Sequence, residues 1–114
     1  MPSQGDIVLI PIPFTDLTSQ KRRPVVVISN DEYNRTAPDV VVVAMTSNPA
    51  SSPYSFVIDA ADLAQGTLNR PGTVRVDKVY TLENSLIVKT FGHVNDVTLN
   101  RIRTVLAEST AVKP

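Results

Sequence analysis

Val40-Val41-Val42-Val43-Ala44-Met45 is an uninterrupted run of apolar residues that ends at Thr46-Ser47-Asn48-Pro49. A short run this rich in β-branched side chains, bounded by turn-forming residues, is typical of a strand that is covered on both faces. The run Val25-Val26-Val27-Ile28 has the same character and follows the pair Arg23-Pro24. These two runs predict two buried strands and therefore a fold built on a β-sheet.

Most of the remaining apolar segments are also strand-like. Residues 72–79 alternate apolar and polar side chains, which predicts a half-buried strand with Val74, Val76 and, as a further candidate, Val79 facing the core. Arg75 and Asp77 then share the opposite face. The other predicted strands are Ile7–Ile10, Ser55–Ile58 and Leu86–Phe91.

Loops and helices are predicted between and after these strands. Clusters of Pro, Ser, Thr and Asp predict loops over residues 11–22 and 48–53. Residues 59–69 are ambiguous, since their alanines and leucine favour a helical turn that Gly66 would end. A further helical turn is predicted at residues 31–35.

The C-terminal segment has the clearest helical pattern. Asn95 or Asp96 is a suitable N-cap. The apolar side chains then recur at the spacing of one helix face, at Leu99, Ile102, Val105 and Leu106. We therefore expect one mainly β domain over residues 1–114, in which a strongly bent antiparallel sheet or partly open barrel is closed by this helix.

The composition limits the kinds of functional site that the chain can form and indicates its cellular compartment. Hydrophobic residues make up 42% of the chain, and its 11 basic and 11 acidic residues argue against binding to duplex DNA through a strongly basic surface. With no cysteine and a single histidine, His93, neither a thiolate nucleophile nor a metal or other cofactor is expected. No apolar stretch reaches the roughly 20 residues that cross a bilayer, and the first residues lack a secretion signal, so a cytoplasmic location is expected.

Four segments, taken in order, resemble the MazF/PemK toxins. They are Gly5–Leu9 with Pro13–Asp16 behind it, Lys21–Asn30 with its Arg-Pro pair, Val43–Ser47, and Val74–Leu82. Residues 86–93 and the terminal helix extend the likeness over residues 5–106 with no large insertion. The chain is thus identified, by resemblance, as a member of this type II toxin–antitoxin endoribonuclease family.

The resemblance implies an SH3-like barrel of the MazF/PemK/CcdB kind that works as a homodimer. It implies sequence-specific, metal-independent cleavage of single-stranded RNA by attack of the substrate's own 2′-hydroxyl, which leaves a 2′,3′-cyclic phosphate and a 5′-hydroxyl. It also implies a cognate antitoxin that lies across the dimer groove beside the loop 11–22. Operator DNA is expected as a partner only through the antitoxin complex.

In this family an arginine at the Arg-Pro strand entry and a threonine at the exit of the next long strand form the essential pair, which implies Arg23 and Thr46 here. The permanently cationic arginine fork suits stabilisation of the charged phosphorane, with acid delivery as a further role, but its pKa above about 12 makes it a poor base. Thr46 can donate a hydroxyl hydrogen bond to a phosphate oxygen. The alternative is that Arg23 is a surface cation that fixes the start of a strand, and that Thr46 is an ordinary turn residue at the end of one.

Arg75 and Asp77 have two interpretations. Some PemK-type relatives use such an Arg-x-Asp pair with the aspartate as general base and the arginine as acid or phosphate anchor, which implies catalytic roles for both residues. A carboxylate could accept the 2′ proton, a task that Arg23 performs poorly. The other interpretation is a surface ion pair, usually worth about 0–1 kcal/mol. The sequence leaves both open.

RNA-binding residues are expected among side chains that stack on bases or contact phosphates. The candidates are Phe14, Thr15, Lys21, Arg22, Ser47, Lys78 and Tyr80. Some relatives carry a histidine in the loop after the first strand, whereas residues 11–22 contain none. Phe14, Thr15 or Lys21 would serve in its place. His93 is expected to have a structural role.

Two functions of other classes also fit a small barrel. A CcdB-type toxin shares the fold and binds a topoisomerase subunit, with no need for Arg23 or Thr46. A non-enzymatic SH3-like module would bind a proline-rich peptide in an aromatic-lined groove, for which three Phe and three Tyr residues are few. The Arg23-Pro24 and Thr46-Ser47 motifs favour RNA cleavage over both.

Overall fold

The computed structural model describes residues 1–13, 20–48 and 52–114. Seven antiparallel strands lie within these residues: β1 (Asp6–Pro13), β2 (Gln20–Val27), β3 (Asp39–Thr46), β4 (Ser55–Ile58), β5 (Leu63–Gly66), β6 (Gly72–Glu83) and β7 (Lys89–Val94). They form one sheet in the order β4-β6-β3-β2-β1-β7-β5, which curls into a half-barrel. The helices are α1 (Asp31–Thr36) and α2 (Asp96–Ser109), and single 3-10 turns lie at Ala60–Asp62 and Asn84–Leu86.

The two apolar runs that predicted buried strands are β2 and β3, and both strands are covered on both faces. Val26 and Val43 belong to a core cluster that includes Ile102 of α2, so their side of the sheet is called the α2 face. Val25 and Val42 belong to a separate cluster on the other side, called the second face. All side chains of these runs except the half-buried Ile28 and Val41 are buried, because successive residues of a strand alternate between two covered faces.

The helix α2 confirms the prediction made from its apolar spacing. Asn95 is its N-cap, and the Asn95 side chain accepts a hydrogen bond of 2.9 Å from the backbone nitrogen of Thr98. Ile102 is fully buried, and the other predicted apolar positions pack against the same cluster. The helix thus closes the α2 face. The shorter prediction at residues 31–35 is confirmed as α1.

The prediction of a loop over residues 11–22 is wrong at both ends. β1 continues to Pro13 and β2 starts at Gln20, with Pro11 paired to Arg22. Prolines are tolerated here because the pairing of β1 with β7 ends at Leu9, so the missing backbone N–H groups are not required on that side. Residues 14–19 and 49–51 lie outside the described part of the chain.

The prediction for residues 59–69 missed a strand. A single 3-10 turn, capped by Asp59, is followed by β5, which pairs with β7. Gly66 adopts a φ of +85°, and a Cβ on it would clash with the carbonyl oxygen of Phe91. The predicted helical turn is therefore present only as the 3-10 turn at Ala60–Asp62, and close pairing to β7 keeps the chain extended after it. The last strand, predicted at residues 86–91, lies at Lys89–Val94 and follows a 3-10 turn.

β6 is longer than predicted and irregular in its middle. Its register with β3 shifts between Val43, which pairs with Val79, and Ala44, which pairs with Arg75. Three residues of β6 are therefore accommodated in a bulge. The expectation that Val79 faces the core is wrong, since its side chain is 44% exposed. Bulges of this kind re-aim side chains and are frequent beside active sites.

Candidate active site

Arg23 and Thr46 lie towards the same end of two neighbouring internal strands, β2 and β3. The last registered pair of β2 and β3 is Val25 with Ala44, and the same register continued by two positions brings Arg23 opposite Thr46. Directly opposite residues of an antiparallel pair have Cβ atoms about 4.5–5.5 Å apart. On its other side Thr46 pairs with Thr73 of β6. Neighbouring strands thus carry a cation and a hydroxyl, each two residues beyond the last registered pair.

The Thr46 hydroxyl is oriented by its own turn. Thr46 is half-buried, and its Oγ1 accepts a hydrogen bond of 3.1 Å from the backbone nitrogen of Asn48. This bond uses an oxygen lone pair and not the hydroxyl proton. Thr46 can therefore still donate a hydrogen bond to an oxygen of a bound group.

Arg75 and Asp77 form a bidentate ion pair at the start of the β6 bulge. Arg75 Nε donates to Asp77 Oδ1 at 2.9 Å, and Arg75 Nη2 donates to Asp77 Oδ2 at 2.8 Å. The hydrogen bonds from Arg75 hold the pKa of the Asp77 carboxyl below its ordinary value, and they raise the pKa of the Arg75 guanidinium. The side chains remain 23% and 30% exposed, so the pair is accessible to an anionic ligand.

All four predicted catalytic residues are assigned to the second face of the sheet. Arg23 is two positions from Val25, Thr46 is two positions from Ala44, and Arg75 pairs with Ala44, so alternation puts the three on one side. Asp77 joins them through its ion pair with Arg75. Arg75 is diagonal to Thr46 across one strand spacing, a Cα separation of about 7–8 Å. The candidate site therefore combines two guanidinium groups, one hydroxyl and one carboxylate on one face of the sheet.

The predicted RNA-binding residues have different environments. Lys21, Arg22, Ser47 and Lys78 are exposed, with Lys21 on the same side of β2 as Arg23. Tyr80 packs its ring against the second-face cluster and is only half-exposed. Phe14 and Thr15 lie outside the described residues. His93 Nδ1 is 3.0 Å from Asp6 Oδ1, where it links β7 to β1, in keeping with the structural role expected of it.

Sequence reasoning missed a groove of ≈ 380 Å³ at the end of β3. Its lining includes Pro24, Met45, Thr46, Leu68, Asn69 and Phe91. Residues 67–71, between β5 and β6, form one wall, and residues 67–69 belong to the stretch whose secondary structure the sequence leaves ambiguous. The groups come together through the pairing of β5 with β7, which no local pattern indicated.

Residues 1–13, 20–48 and 52–114 contain no cluster of three or more His, Asp or Glu side chains that could hold a metal ion. Nor do they include a helix long and apolar enough to span a membrane.

Comparison with known proteins relates this geometry to a family. The model of the family described as PemK-like, MazF-like toxin of type II toxin–antitoxin system matches residues 3–110. No relative was found among curated proteins.

Solved structures share the fold over the whole chain. An endoribonuclease in complex with its cognate antitoxin, from a mycobacterial species, is 24% identical, with a TM-score of 0.80 over 100% of this chain and 99% of that one. An endoribonuclease from a mycobacterial species is 25% identical, with a TM-score of 0.76 over 95% and 89%. A MazE–MazF structure from Deinococcus radiodurans is 20% identical, with a TM-score of 0.78 over 98% of each chain. The prediction of a mainly β, MazF-like barrel with a C-terminal helix is confirmed.

Proposed function

Because the chain belongs to the PemK-like, MazF-like toxin family of type II toxin–antitoxin systems, we propose that it is an endoribonuclease that cleaves single-stranded RNA without a metal ion. One observation supports the assignment of the active site. Arg23, Thr46, Arg75 and Asp77 come from three adjacent strands and share one face of the sheet. Endoribonucleases among the solved structures of the same fold support it.

Cleavage without metal makes three demands on the protein. A base must take the proton from the 2′-oxygen as that oxygen attacks phosphorus, and an acid must protonate the departing 5′-oxygen. Fixed donors must also stabilise the extra negative charge on the phosphorane. The products are a 2′,3′-cyclic phosphate and a 5′-hydroxyl.

Arg23 and Thr46 are suited to hold the phosphorane. The guanidinium of Arg23 stays cationic at any working pH, and its fork matches two phosphate oxygens. The Thr46 hydroxyl proton, not used in its bond with Asn48, can be donated to a non-bridging oxygen. Because Arg23 and Thr46 lie towards the same end of neighbouring strands, we expect both to contact one phosphate.

Asp77 is the best candidate for the base. Its pKa is lowered by the hydrogen bonds from Arg75, so the carboxyl is ionised at neutral pH and ready to accept a proton. We assign Arg75 as the phosphate anchor and acid. When its fork moves from the carboxylate to the incoming phosphate, an oxygen of Asp77 becomes available for the 2′ proton. A carboxylate with a lowered pKa is a weak base, so its contribution falls at the lower end of the range for general bases, about 10²-fold.

The proposal includes the partners implied by the family. A cognate antitoxin would bind the toxin and block the face that carries Arg23 and Thr46, and operator DNA would be contacted only through that complex. A homodimer would widen the RNA-binding surface of a chain with zero net charge. The site of action would be the cytoplasm, where RNA is available.

Incubation of a long mixed-sequence single-stranded RNA with the purified chain in EDTA tests the activity. We expect specific cuts that leave cyclic phosphate and 5′-hydroxyl ends. Arg23→Ala should lower the rate about 10²–10³-fold, the usual cost of removing one donor to a developing anion. The control Arg103→Ala removes an exposed arginine of α2 and should cleave normally.

The outcomes separate the alternatives. A folded, toxic chain that leaves every RNA intact would contradict the nuclease and favour a CcdB-type target. A folded chain that neither cleaves RNA nor arrests growth would favour a non-enzymatic binding module. Cleavage that EDTA abolishes would refute the metal-independent mechanism alone.

A further inference from the structure

We propose that Tyr80 is a further catalytic residue, whose hydroxyl donates a hydrogen bond to a non-bridging oxygen of the phosphate that Arg75 anchors. This inference rests on the proposed ribonuclease function and adds one donor to its active site. The sequence makes Tyr80 a candidate for contact with RNA. Only the structure relates Tyr80 to Arg75 and indicates which part of its side chain the RNA would meet.

The β6 bulge brings Tyr80 beside Arg75 on the second face of the sheet. Tyr80 pairs with Val42 of β3, and Arg75 pairs with Ala44. Because Val42 and Ala44 are two residues apart on one strand, they share a face and lie about 6.5 Å from each other. Tyr80 and Arg75 are five residues apart in the chain. In a regular strand that separation would be about 16 Å and would put the two side chains on opposite faces, so the bulge makes them neighbours.

The electrostatic environment of Arg75 also indicates this proximity. The hydrogen bonds that Arg75 donates to Asp77 are the main cause of the raised pKa of its guanidinium, and Tyr80 is close enough to add a smaller electrostatic contribution to this pKa. Such contributions weaken with distance. The phenol therefore lies near the group that would anchor the phosphate.

The packing of Tyr80 leaves its hydroxyl as the group available to RNA. The ring packs against the second-face cluster, which includes Val42, and the residue is half-buried. A base stacks on an open ring face, so this packing disfavours stacking. Within residues 1–13, 20–48 and 52–114, no hydrogen bond engages the Tyr80 hydroxyl, and its oxygen is not among the buried polar atoms without a partner. The hydroxyl is therefore accessible, and its proton can be donated to a ligand.

A hydroxyl at this position would act mainly on the transition state. Phosphate oxygens accept hydrogen bonds, and the phenol is a donor beside the Arg75 cation. Attack by the 2′-oxygen increases the negative charge on the non-bridging oxygens, so a bond to one of them strengthens as the phosphorane forms. The proton stays on Tyr80 throughout. The roles assigned to Arg75 as acid and to Asp77 as base are therefore unchanged.

The test is single-turnover cleavage of an RNA with one mapped cut site by the wild-type chain, Tyr80→Phe and Tyr33→Phe. Tyr80→Phe keeps the ring and removes only the hydroxyl, so its melting temperature should stay close to that of the wild type. We expect its cleavage rate to fall about 10²-fold. Its Kd for the same RNA with a 2′-deoxy residue at the cut, which cannot react, should change less than about threefold. The control Tyr33→Phe removes the hydroxyl of a half-buried tyrosine in α1 and should keep both values.

A second readout tests whether the hydroxyl contacts the phosphate directly. Sulfur is a weak hydrogen-bond acceptor, so replacing one non-bridging oxygen at the cut by sulfur weakens any bond to that position. Each of the two phosphorothioate diastereomers is compared with the all-oxygen RNA. For one diastereomer, the slowing of cleavage by sulfur should be several-fold smaller in Tyr80→Phe than in the wild type, because the variant has already lost that bond. The other diastereomer should show the same slowing in both proteins.

The outcomes distinguish this inference from the function on which it rests. No RNA cleavage by the wild-type chain would overturn both. Wild-type cleavage with an unchanged rate in Tyr80→Phe would overturn the inference alone, and weaker binding of the unreactive RNA by Tyr80→Leu would then assign the ring to base stacking. A slower Tyr80→Phe whose phosphorothioate effects match those of the wild type would also overturn it, and would make Tyr80 a positioning residue for Arg75.

Discussion

The substitution Asp77→Asn separates the two interpretations of the Arg75–Asp77 pair by magnitude. The pair is bidentate but its side chains are 23% and 30% exposed, so its loss should cost about 1 kcal/mol of unfolding free energy at most. For a chain of this length that is a fall in melting temperature of about 4 °C. A remaining stability of about 4 kcal/mol still leaves only about one molecule in a thousand unfolded.

A catalytic base predicts a far larger effect on cleavage. Removing the carboxylate that accepts the 2′ proton should lower the single-turnover rate by at least about 10²-fold. Destabilisation of about 1 kcal/mol cannot produce such a loss, because nearly all molecules remain folded. Glu108→Gln, which removes one negative charge from the exposed side of α2, is the matched control and should leave the rate unchanged.

The pH dependence adds a second readout. Because Arg75 lowers the pKa of Asp77, the wild-type rate should stay high on the acid side until the pH falls below the ordinary aspartate value of about 3.9. Arg75→Gln should move that acid limb to higher pH, and Asp77→Asn should abolish it. The stabilising contribution of the pair is likewise present above the unfolded-state pKa and lost as pH falls through the lower folded-state pKa. If Asp77→Asn cleaves RNA at a rate within threefold of wild type, Asp77 is not the base, and the Arg75–Asp77 pair is only a surface ion pair.

Three further outcomes test the site, the fold and the assembly. Thr46→Val should lower cleavage about 10²-fold through loss of the hydroxyl donor, while Thr46→Ser should retain most of it, both by single-turnover kinetics. Gly66→Ala should lower the unfolding free energy by about 2 kcal/mol or more in denaturant titration, because its φ of +85° and its approach to Phe91 exclude a Cβ; a neutral effect would contradict the β5–β7 geometry. Light scattering at micromolar concentration should report about twice the 12.4 kDa chain mass, and a monomer that cleaves at full rate would refute the dimer proposal.

Local signals in the sequence were sufficient for the strands with the strongest patterns and for the terminal helix. Val25–Ile28 and Val40–Met45 are apolar runs rich in β-branched residues, and such runs predict strands that are covered on both faces. Leu99 and Ile102 belong to a helical stripe that needs a partner surface, and the N-cap at Asn95 marks where the helix begins. The resemblance to MazF/PemK toxins made Arg23 and Thr46 candidate catalytic residues without any knowledge of how close they lie.

Other features depended on contacts between distant segments. The alanines at residues 60–64 favour a helix locally, but pairing with β7 and the approach of Gly66 to Phe91 make β5 a strand. The prolines at 11 and 13 resemble loop residues, yet β1 continues because β7 no longer pairs with it there. Strand pairing is a non-local interaction, so the composition of a short segment does not predict which strand it pairs with.

The chain's sequence by itself determined which segments are apolar enough to form the core and which residue types are available for RNA chemistry. Only the tertiary structure decided that Arg23 and Thr46 lie towards the same end of neighbouring strands, that the β6 bulge lies beside the Arg75–Asp77 pair, and that Asn69 shares a groove with Phe91. The physical reason is that hydrophobic alternation is encoded within a few residues, whereas register, bulges and grooves arise when strands far apart in the chain exchange backbone hydrogen bonds.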